Sequence, residues 1–301
     1  MASFSNQVKS EICGSIRKAA DCRAFLAGAL LAVRRFSADE IVLQTECEAF
    51  AGLLPQLIRN AAPKLRYDTE FRRRAGKQPV WCFSFGKAEA NALTAALHLD
   101  PADRAAGLET YGGAAAKTAA GVFVMSGSMT DPERAYHLEM VMPDADFGNA
   151  LREIFAELPG IPLKSTERKG DMILYLKQNM QICDALTFFG AKNASMSLAE
   201  QQVYKSIRSQ TNRRLNCDLA NIDKSVIAGE QQVADIRLIQ QTVGLSALPE
   251  NLREIAGLRL ADPEASLREL GTQCQPPLSR SGVNHRLQKI SAIAEQLKKQ
   301  Q

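Results

Sequence analysis

The chain has 301 residues, of which 46% are apolar and 23% charged, and this composition is that of a globular protein long enough for two domains. No run reaches the roughly eighteen uncharged apolar residues of a membrane helix, and the first residues lack the basic-then-apolar order of a secretory signal. We therefore expect a cytoplasmic protein without a membrane partner. The seven cysteines lack the C-x-x-C spacing of a zinc or redox site, so we expect reduced, mostly buried thiols and neither a metal nor a cofactor.

The positive charge lies at one end of the chain. Residues 1–200 hold 23 Lys+Arg and 23 Asp+Glu, whereas residues 201–301 hold 14 and 10, so the whole excess of +4 falls in the last hundred residues. Binding to phosphates releases condensed counterions, and a basic C-terminal region therefore favours a polyanion as partner. A solvated charged surface without a partner remains the alternative.

Two copies of one structural unit follow each other in the first two thirds of the chain. Each begins with a short apolar helix around a glycine, Gly28 or Gly121, and continues with a strand, a helix, a β-hairpin and a last helix. In the first copy these elements are predicted at 41–46, 49–58, 65–71 with 80–85 turning at 74–77, and 88–97. In the second they are predicted at 136–140, 147–158, 163–166 with 172–176 turning at 168–170, and 178–189. The duplication predicts two lobes related by a pseudo-twofold axis.

Small residues surround both glycines. Ala27 and Ala29 flank Gly28, and Ala119 and Ala120 precede Gly121. A helix face without bulky side chains lets another backbone approach closely, which offsets the roughly 1 kcal/mol that a helical glycine costs. We therefore predict that the lobes meet at these two helices.

From Leu198 onward the pattern is almost continuously helical. The polar segment 205–224 is either a connector or a DNA-facing helix; its basic side chains stand beside asparagines, a mixture suited to phosphate and base contacts. The residues predicted to contact DNA here are Arg208, Arg213, Arg214 and Lys224. Further helices are predicted at 222–243, with Val226, Val233, Ile236 and Ile239 on its apolar face, and at 248–260.

The last forty residues have the order of a helix-turn-helix. A short helix at 262–271 with a glycine stop is followed by a compact turn and a helix that starts near Ser279. Leu267, Leu270, Val283, Leu287 and Ile290 are predicted to face inward. This leaves an outward face of donors for phosphates and base edges, consisting of Ser279, Arg280, Ser281, Asn284, His285, Arg286 and Lys289. Arg280 and Lys289 suit phosphates and Asn284 and Arg286 suit bases, while His285 is equally compatible with a half-buried structural role.

The repeated Leu26-Ala-Gly28 helix, followed each time by a strand and a basic hairpin, resembles the LAGLIDADG homing endonucleases. The resemblance implies two central helices, two sheets that straddle DNA, and an acidic residue at each helix end that holds catalytic metal ions. Counting the motif along this chain places Val33 and Ser126 at those positions, with Asp131 as the nearest carboxylate. Neither Val33 nor Ser126 carries the negative charge that a hard cation needs, so we predict no catalytic residues and no enzyme activity.

Four separated segments, 3–11, 126–139, 212–221 and 281–287, resemble the WhiA family of sporulation regulators, and the resemblance covers essentially the whole chain. It implies an α+β protein in which a duplicated, catalytically inactive LAGLIDADG-like domain precedes an all-α helix-turn-helix domain similar to sigma-factor region 4. It also implies a nucleoid-associated transcription regulator linked to cell division, chromosome segregation and sporulation. Its partner is double-stranded DNA, with RNA polymerase or a WhiB-type co-regulator as further candidates.

We accordingly expect a LAGLIDADG-like domain over 1–195, a basic helical linker over 196–221 and a helix-turn-helix domain over 222–301. Two other classes of function compete with a regulator. An active nuclease predicts metal-dependent DNA cleavage, and a scaffold for a partner protein predicts neither cleavage nor DNA binding.

Overall fold

The computed structural model describes residues 3–73, 78–157 and 161–300, and the chain divides into two units, Met1–Ser206 and Ile207–Gln301. The helices are α1 Phe4–Ser15, α2 Ala19–Leu31, α3 Glu48–Ala61, α4 Lys87–Leu97, α5 Arg104–Thr110, α6 Ala115–Ser126, α7 Ala145–Ala156, α8 Asn179–Phe189, α9 Lys192–Thr242, α10 Glu250–Ala261, α11 Leu267–Gln273 and α12 Arg280–Gln300. The strands are β1 Arg35–Phe36, β2 Ile41–Thr45, β3 Asp68–Arg72, β4 Val80–Phe85, β5 Gly127–Met129, β6 Leu138–Val141, β7 Lys164–Arg168 and β8 Asp171–Leu176. None of the described helices is both long enough and apolar enough to cross a bilayer.

The first unit contains the same succession of elements twice, as the duplicated pattern predicts. α2, β1, β2, α3, β3, β4 and α4 correspond in order to α6, β5, β6, α7, β7, β8 and α8. The strands form two antiparallel sheets of equivalent order, β1-β2-β4-β3 and β5-β6-β8-β7. The α+β class and the two pseudo-symmetric lobes are therefore confirmed.

Several elements were not predicted from the sequence. β1 and β5 have two and three residues, too few for an alternating pattern to show, and α1 and α5 lie outside the repeated unit. The predicted hairpin turn at 74–77 lies outside the described residues, as does residue 158, the last residue of a predicted helix.

The two glycine-containing helices form the centre of the first unit. α2 packs directly against α6, and both are buried around nearly their whole circumference. A Cβ built on Gly28 would stand 1.9 Å from the Thr118 carbonyl oxygen, and one built on Gly121 would stand 2.1 Å from the Phe25 carbonyl oxygen. The lobes therefore meet backbone against backbone at these helices, as predicted.

An amphipathic helix covers each sheet. In α7, Phe147, Leu151 and Phe155 recur every fourth residue and are fully buried, and Asp144 caps the helix by accepting a hydrogen bond from the Phe147 N–H at 2.8 Å. α3 buries Phe50, Leu54 and Leu57 in the same way. These side chains join the central helices in one continuous core.

The second unit has a core of its own, built from the C-terminal part of α9 together with α10, α11 and α12. Its fully buried residues include Ile236, Ile255, Leu270 and the α12 residues Val283, Leu287 and Ile290. Three details differ from expectation. Val226 is 54% exposed, so the predicted apolar face of the 222–243 helix is buried only from Val233 onward. The short helix begins after Ser266 rather than at Asp262, and it continues two residues past the predicted glycine stop.

Gly271 has a packing role instead of stopping the helix. A Cβ there would lie 2.3 Å from the Leu278 carbonyl oxygen, and the Leu278 N–H donates to the Gly271 carbonyl at 2.8 Å. The glycine therefore lets the turn before α12 fold back onto α11.

Candidate nucleic-acid interface

The C-terminal ends of α2 and α6 are the positions at which the LAGLIDADG resemblance places metal-binding carboxylates. Val33 is buried there, and the Ser126 hydroxyl donates to the Val122 carbonyl of its own helix at 2.9 Å. Asp131 is exposed, and its carboxylate accepts from the Glu133 N–H at 2.9 Å to hold a local turn. No group of three or more His, Cys, Asp or Glu among the described residues is arranged to hold a metal ion.

A guanidinium group lies at the end of α2. Arg104 Nη1 donates to the carbonyls of Leu31 at 2.5 Å and Val33 at 2.8 Å, and its Cζ lies 5.1 Å from the centre of the Phe36 ring. Burial lowers the pKa of Arg104 and the nearby Asp144 counteracts this, but an arginine remains charged at any physiological pH. The cation satisfies carbonyls that a helix C-terminus leaves unpaired and interacts favourably with its dipole. Val33, Ser126 and Arg104 therefore do not fit the catalytic metal ions of the endonucleases.

The exposed strands of the two sheets carry mixed charges. β3 and β7 are edge strands whose side chains are all exposed, and β3 contains Asp68 and Glu70. Arg72 is held by Glu70 at 2.5 Å, and Arg168 by Glu139 at 3.3 Å. These arginines therefore already have carboxylate partners within the protein.

The four basic residues predicted to contact DNA from the segment 205–224 are all exposed on α9, but they do not share one face. At 100° per residue, Arg213 and Lys224 project in nearly the same direction, about 20° apart. Arg208 and Arg214 project elsewhere on the helix. The helix can therefore offer Arg213 and Lys224 together to one polyanion, but not all four residues.

α11 and α12 form the helix-turn-helix. Ser266 and Glu269 make a reciprocal capping box at the start of α11, with bonds of 3.3 and 2.8 Å. At the start of α12 the Ser279 hydroxyl accepts from the Gly282 N–H at 3.2 Å. Val283, Leu287, Ile290 and Ala294 anchor one side of α12 in the core, which fixes the side that faces outward.

The outward side of α12 contains most of the predicted contact residues. Ser281, His285 and Lys289 are exposed and project away from the buried side. Ser279 and Arg280 are exposed at its beginning, and Asn284 is half-buried at the edge of this face. Gln288 is exposed on the same face and was missed, although its distance of three residues from His285 could have indicated it.

Arg286 differs from the sequence-based expectation of an outward base-reading residue. Its Nη1 donates to the Asn251 carbonyl at 3.1 Å and lies 3.5 Å from Glu254 Oε2, both on α10. The side chain thus ties α12 to α10. Arg268, on α11, was not predicted as a contact residue and is exposed, and no ion pair involves it in the described parts of the chain.

A duplicated α/β domain centred on two glycine helices, followed by a helix-turn-helix unit, defines a LAGLIDADG-like protein with an added helix-turn-helix domain. Two family models match in that order: the WhiA LAGLIDADG-like domain over residues 115–208 and the WhiA C-terminal HTH domain over residues 211–294. The probable cell division protein WhiA of Lachnoclostridium phytofermentans is 35% identical over 98% of this chain and 99% of its own length. The chain belongs to the WhiA family.

Other comparisons agree with this assignment. The probable cell division protein WhiA of Clostridium acetobutylicum is 43% identical, in a match that spans 60% of this chain and 56% of that protein's length. The crystal structure of full-length DUF199/WhiA from Thermatoga maritima superposes with a TM-score of 0.58, at 23% identity, over 98% of this chain and 99% of that one. At this identity the structural match shows a shared fold.

Proposed function

We propose that this protein is a sequence-preferring, DNA-binding transcription regulator without nuclease activity. The observation that carries the proposal is the face of α12, which is held in place by its buried side and presents Ser281, His285, Gln288 and Lys289 outward. A recognition helix lies in the major groove, where side chains on its outward face reach base edges.

The contact residues divide by chemistry. Arg280 and Lys289 are proposed to bind phosphates, together with Ser279 and Ser281 at the N-terminus of α12, where free backbone N–H groups and the helix dipole favour an anion. Arg268, which is exposed on the first helix of the motif, is also proposed to bind a phosphate. Asn284, His285 and Gln288 are proposed to reach base edges. Arg286 is assigned to packing because of its contacts with α10.

The basic residues of α9 add a contact that does not read sequence. Arg213 and Lys224 share a face and suit phosphates of one duplex, whereas Arg208 and Arg214 point in other directions. We therefore expect removal of Arg213 or Lys224 to weaken binding to every DNA sequence equally.

The chemistry of the helix ends supports the proposed absence of nuclease activity. A metal-assisted cleavage site needs carboxylates that neutralise divalent cations, and here a buried valine, a bonded serine hydroxyl and the Arg104 cation stand in that region. Supercoiled plasmid incubated with purified protein and Mg²⁺ or Mn²⁺ should stay intact. Cleavage that copurifies with the protein and disappears in Asp131→Ala would refute this part of the proposal.

In the cell, we propose that the protein controls transcription connected with cell division, chromosome segregation and sporulation. Of these processes, cell division appears in the names of its relatives. It would be associated with the nucleoid, and RNA polymerase or a WhiB-type co-regulator would be its further partner. Genome-wide crosslinking of the tagged protein should recover promoters that share one motif. A uniform distribution over the chromosome would contradict regulation of particular genes.

Two α12 variants test which residues contact phosphates and which contact bases. Lys289→Ala should weaken binding to specific and scrambled duplexes alike and reduce the log–log salt slope by roughly one, because one phosphate contact is lost. Gln288→Ala should cost on the order of 1–3 kcal/mol on the preferred site alone and leave the salt slope almost unchanged. Fluorescence anisotropy titrations at several salt concentrations measure both effects.

Asn284→Ala provides a second test of base reading, since Asn284 lies at the edge of the same face. A conservative Arg286→Lys change provides the control, because it is expected to alter the stability of the domain rather than its choice of sequence. If Gln288→Ala and Asn284→Ala both discriminate sequences as well as the parent, the reading helix has been assigned wrongly.

A further inference from the structure

Two buried cysteines, Cys13 and Cys47, lie side by side in the first unit. Cys13 is in the last turn of α1 and Cys47 immediately precedes α3, and their exposed fractions are 5% and 2%. α1 packs directly against α3, and the two thiols form a hydrogen bond with each other. The fold therefore joins two sulfur atoms that are far apart along the chain.

A largely buried amine completes the cluster. Lys9 lies one turn before Cys13 on the same face of α1, and its amino group interacts with both thiols. Burial lowers the pKa of Lys9, whereas the nearby Cys47, Glu46 and Cys13 counteract this. An amine that is held beside a thiol stabilises the charged form of the sulfur.

The surroundings make the two thiols unequal. The hydrogen bond from Cys13 lowers the pKa of the Cys47 thiol; burial raises it, and the Phe50 N–H, the Lys9 amine and the Ala49 N–H lower it further. The same hydrogen bond and burial raise the pKa of the Cys13 thiol. Cys47 is therefore the sulfur that ionises, and Cys13 is the thiol that donates to it. The thiolate is the form that reacts with oxidants.

We propose that Cys13 and Cys47 form a peroxide-sensitive thiol pair that closes reversibly to a disulfide, with Cys47 as the attacking sulfur and Cys13 as the resolving one. The pair lies outside the proposed DNA contacts, so the proposal does not depend on the proposed function. It joins α1 to the start of α3 by a covalent bond.

The oxidation proceeds in two steps. The Cys47 thiolate attacks one oxygen of hydrogen peroxide, an S–O bond forms, the O–O bond breaks and hydroxide leaves, which gives a sulfenic acid. The Cys13 sulfur then attacks the Cys47 sulfur, the S–S bond forms, the S–O bond breaks, and the oxygen departs with the Cys13 proton as water. The first hydroxide takes up the proton that Cys47 had released. Two thiols are thus oxidised while one peroxide is reduced to two waters.

The position of Cys47 keeps the oxidant within reach. Glu46 and Glu48 on either side of it are exposed, so the buried thiol lies one residue below the surface, in the turn between β2 and α3. Hydrogen peroxide is little larger than water and needs only a small local opening of this turn, which costs less free energy than unfolding of the whole unit.

Mass spectrometry of the full chain tests the proposal. In a Cys217→Ser background, which removes the exposed thiol, treatment with hydrogen peroxide should remove two hydrogen atoms from the intact protein. Non-reducing peptide maps, made after denaturation in the presence of an alkylating reagent, should show Cys13 joined to Cys47. Dithiothreitol should restore both thiols.

Variants separate the roles of the two sulfurs. Cys47→Ser keeps a good N-cap residue and should leave Cys13 reduced. Cys13→Ala removes the resolving thiol, so Cys47 should gain one or two oxygen atoms instead of forming a disulfide. Cys22→Ala is the matched control, because Cys22 is equally buried in the same core, and it should form the disulfide like the parent.

The rate at which Cys22 oxidises in the parent reports oxidation through unfolding of the whole unit. Cys47 should oxidise at least about tenfold faster than Cys22. Equal rates would overturn the proposal, and so would a disulfide that joins any other pair of cysteines. Loss of the Cys13 thiol at the parent's rate in Cys47→Ser would overturn the assignment of Cys47 as the attacking sulfur.

Discussion

Gly28 and Gly121 determine how closely the two lobes approach. A Cβ built on Gly28 would lie about 2 Å from the Thr118 carbonyl oxygen of α6. A Cβ built on Gly121 would lie about 2 Å from the Phe25 carbonyl oxygen of α2. Such a contact cannot be relieved by rotation of a side chain, because the obstructing atoms belong to the backbone. The two helices must separate to admit even one methyl group.

Gly28→Ala is therefore expected to lower the free energy of unfolding of the first unit by at least about 3 kcal/mol. Gly52→Ala is the matched control. Gly52 lies inside α3 with nothing within 4 Å of its built Cβ, so the same substitution should raise stability by about 0.5–1 kcal/mol. Urea unfolding of both variants measures the difference, and equal effects would show that the lobes are not in backbone contact.

At the residue scale, the sequence predicted which side of α12 is buried but not the partners of individual side chains. Val283, Leu287 and Ile290 follow helical spacing and are buried as expected. The contact of Arg286 with Glu254 joins residues 32 positions apart, which no local pattern reveals. Val226 fits the helical spacing of Val233 and Ile236 but is exposed, because periodicity shows that a face is apolar and does not show what covers it.

At the scale of elements, α11 is a helix of only seven residues, and its start depends on one cap. Ser266 and Glu269 each accept a hydrogen bond from the backbone N–H of the other, and the Ser266 backbone and hydroxyl lower the pKa of Glu269. The charged form of Glu269 therefore stabilises the box above its unfolded-state pKa, and this stabilisation is lost as the pH falls through the lowered value.

Ser266→Ala should cost about 1 kcal/mol and so speed hydrogen exchange of the α11 amides about fivefold at neutral pH. In Ser266→Asp the α11 amides should exchange at the same rate as in the parent, because aspartate is an equally good N-cap residue. Exchange that is unchanged in Ser266→Ala would mean that the packing of Leu270 alone fixes α11.

The longer elements of the repeat were predictable because each has a period. α4 and α8 begin and end within one residue of the predicted helices at 88–97 and 178–189. β1 and β5 were not predictable, since pairing with β2 and β6 stabilises them rather than any pattern of their own. The contact of Arg104 with the C-terminal end of α2 was likewise missed, because Arg104 lies 71 residues along the chain from Val33, to whose carbonyl it donates.

At the scale of the whole molecule, the first unit extends into α9. Leu198 is fully buried in its core, and Lys205 Nζ donates to the Pro132 carbonyl at 2.6 Å. The expected domain boundary at residue 195 remains a prediction, and a fragment meant to test it should end at Ser206 so that these contacts are kept.

The fragment 1–206 is expected to fold alone and to bind DNA weakly and without sequence preference, because residues 1–200 have no net charge and several arginines of the sheets are already paired. Anisotropy titrations of the fragment and the full chain on the same duplex make the comparison. Binding as tight and selective as that of the full chain would move the reading function from the helix-turn-helix to the first unit.

The contact between α2 and α6 also has a genetic consequence. Many destabilising core substitutions can be compensated elsewhere, since trimming a neighbouring side chain makes room. A methyl group at position 28 meets the Thr118 main-chain carbonyl, which every amino acid carries. A selection for restored activity in a Gly28→Ala strain should therefore return true revertants and changes in protein abundance, but no local suppressor at position 118.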